Sequence, residues 1–218
     1  LNRGADSARS DDAASLKPAV VHWLMSVESV EPALKPEEKD GRGFDHESTG
    51  YLLCPVDYDW YDAGHHVAIH DCHPEFLVTA YSWPTFLYQN GEFDLDNPTN
   101  GLFKGKLLVK AFKQIFTSPM SALKMDDKPP SRKHQRCDEW STRTHVASLI
   151  GMKSVCPRAI AYVAVQLRFT LSSCSAWQIV DGEFNYEDFY NNIVNFFKDT
   201  ETPDDRDFIR ELLLWWNQ

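Results

Sequence analysis

The sequence predicts an all-α fold: a single-domain, irregular helical bundle around a buried central helix at about 157–173, with long loops and at most one small hairpin. Three observations predict it. Apolar residues recur at helical spacing in several separate segments. Helix-start signals, a Ser, Thr or Asn followed by Pro or acidic residues, stand ahead of several of them. Runs of alternating apolar and polar residues, the mark of half-buried strands, are nearly missing.

Residues 1–14, rich in Asp, Ser, Arg and Ala, read as a flexible N-terminal tail, and residues 15–218 as one helical domain. The first helix is expected from Leu16 to about Val30. Ser15 would cap it, Pro18 fits its first turn, and Val20, Val21, Leu24 and Val27 recur at helical spacing. Pro32 to Gly43 is charged and punctuated by Pro and Gly, a connector. Tyr51 to Pro55 is a short apolar element stopped by proline, and Gly64 to His73 can form one short helix. Trp83-Pro84, Asn90-Gly91 and Asn97-Pro98 then signal turns.

Asn100 would cap a helix from Gly101 to Phe116. Its apolar face is Leu102, Leu107, Leu108, Phe112, Ile115 and Phe116, with Lys104, Lys106, Lys110 and Lys113 largely opposite. A shorter helix is expected over Arg143 to Met152. Pro157 to Ser173 carries so few polar residues that it should be buried all round, with Pro157 at its first position. Asn185 would cap a helix from Tyr186 to Lys198, with Glu187 and Asp188 in the first turn where acids suit the dipole. Thr202 would cap the last, Pro203 to Trp216. Trp177 to Val180, ahead of Asp181-Gly182, can form one side of a small hairpin.

At 218 residues the chain suits one sizeable core rather than two. No apolar run approaches the ~20 residues that span a bilayer. The polar first residues are unlike a signal peptide, so a cytoplasmic location without membrane association is expected. A net charge of −10 argues against nucleic acid, which needs a basic footprint. The basic stretch Lys128, Arg132, Lys133, Arg136 and Arg143 contains Pro129-Pro130 and reads as a solvated loop. The five cysteines, Cys54, Cys72, Cys137, Cys156 and Cys174, form no C-x-x-C pair and should be free thiols. The dinucleotide, P-loop and nucleophile-elbow motifs are all missing, so a non-enzymatic protein with no catalytic residues is the expectation. Homo-oligomerisation stays open.

Three groups of residues can carry chemistry. His65, His66, His70 and His73 crowd into nine positions, and on a helix His66, His70 and His73 would share a face. With Asp62 or Asp71 they could ligate a divalent metal ion. H-E-x-x-H is absent, however, and a polar helix face is the alternative. Asp57, Asp59 and Asp62 could hold a hard cation, or simply be turn acids. Tyr162, Gln166 and Arg168 interrupt the apolar central helix. A buried Arg168 needs a partner, for which Asp181, Glu183 and Asp188 are available; Arg and Gln in an aromatic-rich interior could also orient a bound small molecule.

Several strings resemble a family of uncharacterised proteins from mushroom-forming fungi. They are Gly101-Leu102-Phe103-Lys104, Leu107 to Lys113, Ile115 to Pro119, Pro157 to Phe169, Asp181 to Tyr186, Phe189 to Val194 and Leu212 to Asn217, and the likeness runs from about Tyr51 to the C-terminus. Size and acidity are similar to those of the pink chromoproteins of oyster-mushroom fruit bodies. That resemblance implies a conjugated organic chromophore held non-covalently, with no established set of functional residues. The chain departs from the family pattern at His65 to His73. A conjugated anion would need stacking surfaces and cations. The candidate ligand-binding residues are therefore Arg168, Gln166, Tyr162, Trp177, Tyr190 and Trp60, beside Trp83. His66, His70, His73 and Asp62 are the candidate metal ligands, for metal-assisted pigment binding or, alternatively, a metal-dependent enzyme. A ligand-free interaction protein is the remaining alternative.

Overall fold

Proline, glycine and capping residues divide the chain into helices of very unequal length, seen in a computed structural model that describes residues 2–27, 30–123 and 146–218. The described residues are mostly helical. In order they form α1 (Asn2–Val27), α2 (Glu47–Leu53), α3 (Ala63–His70), α4 (Lys106–Phe116), α5 (Pro119–Leu123), α6 (Val146–Leu149), α7 (Pro157–Leu171), the antiparallel pair β1 (Val180–Asp181) and β2 (Phe184–Asn185), α8 (Tyr186–Phe196) and α9 (Pro203–Trp216). One short 3₁₀ turn precedes α2, and three lie between α3 and α4. No described helix is long and apolar enough to cross a membrane.

Near-continuous apolar sequence makes α7 the most buried element. From Ala159 to Leu171 only Tyr162 escapes full burial, and α1, α2, α4 and α8 pack against it. Ile160, Val163, Ala164 and Leu167 lie at its fully enclosed positions. Rings seal the outer layer: Trp83 stands edge-on to Phe103 at 5.6 Å and to Phe196 at 6.0 Å, and Phe112 meets Trp216 at 5.1 Å. Trp83 is thus partly buried against the core.

Several boundaries differ from expectation. α1 begins at Asn2 rather than Leu16, and Pro18 sits inside it. Ser15 does not cap the helix; its Oγ donates to the Asp12 carbonyl within it. α4 begins at Lys106 rather than Gly101, because Gly101 and Phe103 both adopt positive φ, outside helical space. Gly105, not Asn100, occupies its N-cap, where any Cβ would collide with the Phe86 carbonyl. α3 stops at His70, since Cys72 has φ +53° and Pro74 follows. The hairpin is shorter than expected, with Gly182 in the left-handed region at its turn.

α9 begins as its residues require. Thr202 Oγ1 accepts from Asp205 N at 3.1 Å, and Asp205 Oδ2 accepts from Thr202 N at 2.8 Å, a reciprocal capping box. α8 starts with Asn185 accepting from Glu187 N and Asp188 N. The basic stretch, Cys137 and the start of the helix expected from Arg143 lie outside the described residues. Cys54, Cys72, Cys156 and Cys174 are unpaired thiols, and burial pushes the Cys54 thiol up to about 12.

Candidate functional site

The central helix presents Tyr162, Val165 and Gln166 on the side that faces α1 and the segment after the hairpin. A cleft of about 690 Å³ opens there. Tyr162, Gln166, Trp177 and Tyr190 line it together with Tyr186, so four residues singled out from the sequence converge. A second cleft of about 620 Å³ abuts it, sharing Arg9, Gln166, Trp177 and Ile179. Ser10, Ala13 and Ala14 form part of the α1 wall of that second cleft; their small side chains leave space that larger ones would fill. The volumes are of the size that encloses a small organic ligand.

Local structure fixes each wall. Tyr162 Oη donates to Asp12 Oδ2 at 2.6 Å, tying α1 to α7. Burial, followed by this bond, pushes the phenol upward; burial also raises the Asp12 carboxyl, against the bond's lowering effect. Trp177 stands edge-on to Phe169 at 5.2 Å and tilted against Tyr186 at 5.1 Å, yet stays 43% exposed. Tyr190, on α8, follows Tyr186 by one turn. Gln166 is 1% exposed, and its Oε1 is buried without a hydrogen-bond partner. An amide oxygen in that state is an acceptor awaiting a donor.

Arg168 does not reach the cleft. It lies one turn-face away, fully buried, with Nη1 donating to Tyr186 Oη at 3.1 Å and its guanidinium 3.3 Å from the Phe184 ring centroid. Among its expected acidic partners, Asp181 approaches only through Tyr186, whose hydroxyl is 3.5 Å from Asp181 Oδ2. The aromatic rings occupy the space a direct carboxylate would need. Burial pushes the guanidinium pKa down.

Trp60 is also elsewhere. It packs with Cys54 and Ile69 in a separate cluster, its Nε1 donating to Glu47 Oε1 at 2.9 Å. Gly50 admits it, since a Cβ there would strike the indole.

The histidines are dispersed over individual tasks. His66 lies tilted against Trp60 with ring centroids 4.1 Å apart, and His65 against Phe76 at 4.8 Å. His70 pairs with Asp45 at 3.2 Å and Asp71 at 3.4 Å, Asp71 first among the causes that raise its pKa. His73 lies beyond the helix, its Nδ1 accepting from Glu75 N at 3.3 Å. The helical face of His66, His70 and His73 therefore ends at His70. Asp62 caps α3, accepting from His65 N at 3.0 Å, and that bond holds its pKa below the usual carboxylate range. Asp59 caps a turn by accepting from Tyr61 N at 2.9 Å. Among the described residues, no three His, Cys, Asp or Glu side chains group to hold a metal ion.

The sequence left unnoticed two of the most enclosed polar residues. Lys39 and Arg42 come from the charged connector ahead of α2, and both reach carbonyls at the C-terminal end of α7. Lys39 Nζ donates to the carbonyls of Phe169 and Cys174 and lies 3.5 Å from the Phe169 ring centroid. Arg42 donates to Thr170 O at 3.0 Å and to Lys35 O at 2.8 Å. His46 was likewise missed: Nε2 donates to Pro32 O at 2.8 Å while Nδ1 accepts from Ser48 N, which sets the tautomer.

No curated protein and no solved structure matches the chain. The model of the family of unknown function DUF6698 matches residues 3–218, and the chain belongs to that family.

Proposed function

We propose that this protein is a non-enzymatic carrier that holds a small conjugated molecule non-covalently in the cleft between α1, α7 and the hairpin–α8 segment. The observation that carries the reading is the convergence of Tyr162, Gln166, Trp177 and Tyr190 on one cleft; the Gln166 Oε1 acceptor is buried behind that wall without a partner. Rings supply dispersion and stacking for a planar ligand, and a few placed polar groups orient it. A resemblance in size and acidity to pink fungal chromoproteins supports a pigment as that ligand. The reading needs no metal ion, since the lining residues act by stacking and hydrogen bonding.

The test is the ultraviolet–visible spectrum of protein purified from its source, followed by mass spectrometry of a denaturing extract. A visible band that co-elutes with the chain on gel filtration, and weakens at least tenfold in Trp177→Ala or Tyr190→Ala, is the expected result. A colourless chain with no small molecule in the extract overturns the proposal.

A further inference from the structure

The cleft walls also bear on which kind of conjugated molecule fits. Arg168 and the histidines, the cations expected to hold a conjugated anion, do not line the cleft. What lines it instead is rich in electron-dense ring faces: Tyr162, Trp177, Tyr186 and Tyr190. Such faces attract cations through their quadrupoles, most strongly where water is excluded. Gln166 Oε1 points the same way, because an unpartnered buried acceptor gains only from a donor and repels an anionic oxygen. Glu187 stands on the rim and makes no ion pair among the described residues. Among the described residues Arg9 is the one lining cation in the larger cleft, and Lys17 enters only the adjoining one. The chain's net charge of −10 adds a field that draws cations rather than anions.

From these features, and resting on the carrier reading above, we infer that the cleft selects a planar aromatic cation carrying an N–H donor, which stacks on Trp177 and, as the Gln166 side chain turns into the cleft, donates to Gln166 Oε1. Tyr162, Tyr186 and Tyr190 complete the ring-lined wall, and Glu187 balances the ligand charge at the mouth. This is non-covalent recognition, with no bond made or broken.

Two probes of opposite charge separate the outcomes. The full chain is titrated with proflavine, a planar cation with arylamine N–H groups, and with 8-anilinonaphthalene-1-sulfonate, an aromatic anion, following probe and tryptophan fluorescence. Proflavine is expected to bind at least tenfold more tightly. Gln166→Leu should weaken proflavine about tenfold, the effect of one hydrogen bond, and leave the anion unchanged. Glu187→Gln should weaken proflavine alone. Leu conserves much of the volume and removes an orphaned acceptor, so folding is not at stake; circular dichroism checks it. Tighter binding of the anion, or full proflavine affinity in Gln166→Leu, overturns the inference while leaving the carrier reading standing. Failure of both probes to bind, or binding of both that ignores Trp177→Ala, removes the cleft as a site, and both proposals fall together.

Discussion

Lys39 and Arg42 fasten the connector ahead of α2 to the end of α7, where the last carbonyls of a helix lack intrahelical donors and carry its negative dipole end. Lys39 is 4% exposed and ties down the Phe169 and Cys174 carbonyls. Arg168 is equally enclosed but makes a single hydrogen bond, to the Tyr186 hydroxyl, and leaves its Nε unpartnered. The two buried cations should therefore differ in worth. We predict that Lys39→Met lowers the free energy of unfolding by about 2 kcal/mol, since it strips the Cys174 carbonyl of its donor and leaves Phe169 O only the Ser172 hydroxyl. Arg168→Met should cost less, because replacing a poorly satisfied buried charge with an apolar side chain is often close to neutral. Urea unfolding of both variants checks the order, and the reverse ranking would overturn it. Sequence reasoning found Arg168 because it breaks an apolar run. It missed Lys39 because a lysine in a Pro- and Glu-rich connector carries no local mark of burial; its acceptors lie about 130 positions away.

Elements with their own caps were legible, and elements decided by distant contacts were not. α7, α8 and α9 start where Pro157, Asn185 and Thr202 place them. α4 loses its expected first turn because Gly105 must approach Phe86, a contact between segments with no local signature. α1 shows the same limit. Its first half has weak apolar patterning, yet the helix runs from Asn2, and Asp12 meets Tyr162 across 150 positions. That contact matters for the site, because Ala8 and Arg9 are the α1 residues of the cleft and Arg9, Ser10, Ala13 and Ala14 stand on the α1 wall of the adjoining one. We predict that Tyr162→Phe costs about 1–2 kcal/mol, the worth of a hydrogen bond to a half-buried carboxylate. The loss should be local: amide exchange over residues 8–14 should quicken while α7 stays protected. Uniform acceleration along the chain would mean that α1 is not a separable wall. Four of the six candidate ligand residues line one cleft: Tyr162 and Gln166 are visible in sequence as polar interruptions of α7, and Trp177 and Tyr190 as stacking rings; Trp60 lies apart, since its own pocket is made by Gly50, which no spacing rule reveals.

Across the whole molecule, the shifted groups pull stability in two directions as pH rises. Burial holds the Lys39 ammonium down at about 7, helped by Lys17 and Arg42 and opposed by Cys174 and Asp181. Its unfolded value is near 10.5, so between those limits the unfolded chain binds the extra proton and stability climbs with pH. Buried phenols and the Cys54 thiol act in the opposite sense. Tyr88 and Cys54 are each raised to about 12, and Tyr51, Tyr58, Tyr162, Tyr186 and Tyr190 also move up, burial being the first cause in every case. Each of these contributes stability that is fully present below its unfolded pKa, near 9 for the thiol and 10 for the phenols. That contribution is lost as pH rises through the folded value. The urea midpoint is accordingly expected to rise from pH 7 to pH 9 and to fall from pH 9 to pH 11. Lys39→Met should abolish the first change and leave the second, because the tyrosines and Cys54 are untouched. A midpoint that falls steadily from pH 7, or a rise that survives in Lys39→Met, would show that the carbonyls and the Phe169 ring keep Lys39 charged inside the fold. The alkaline fall then measures what the enclosed phenols and the Cys54 thiol contribute together by staying protonated in the fold.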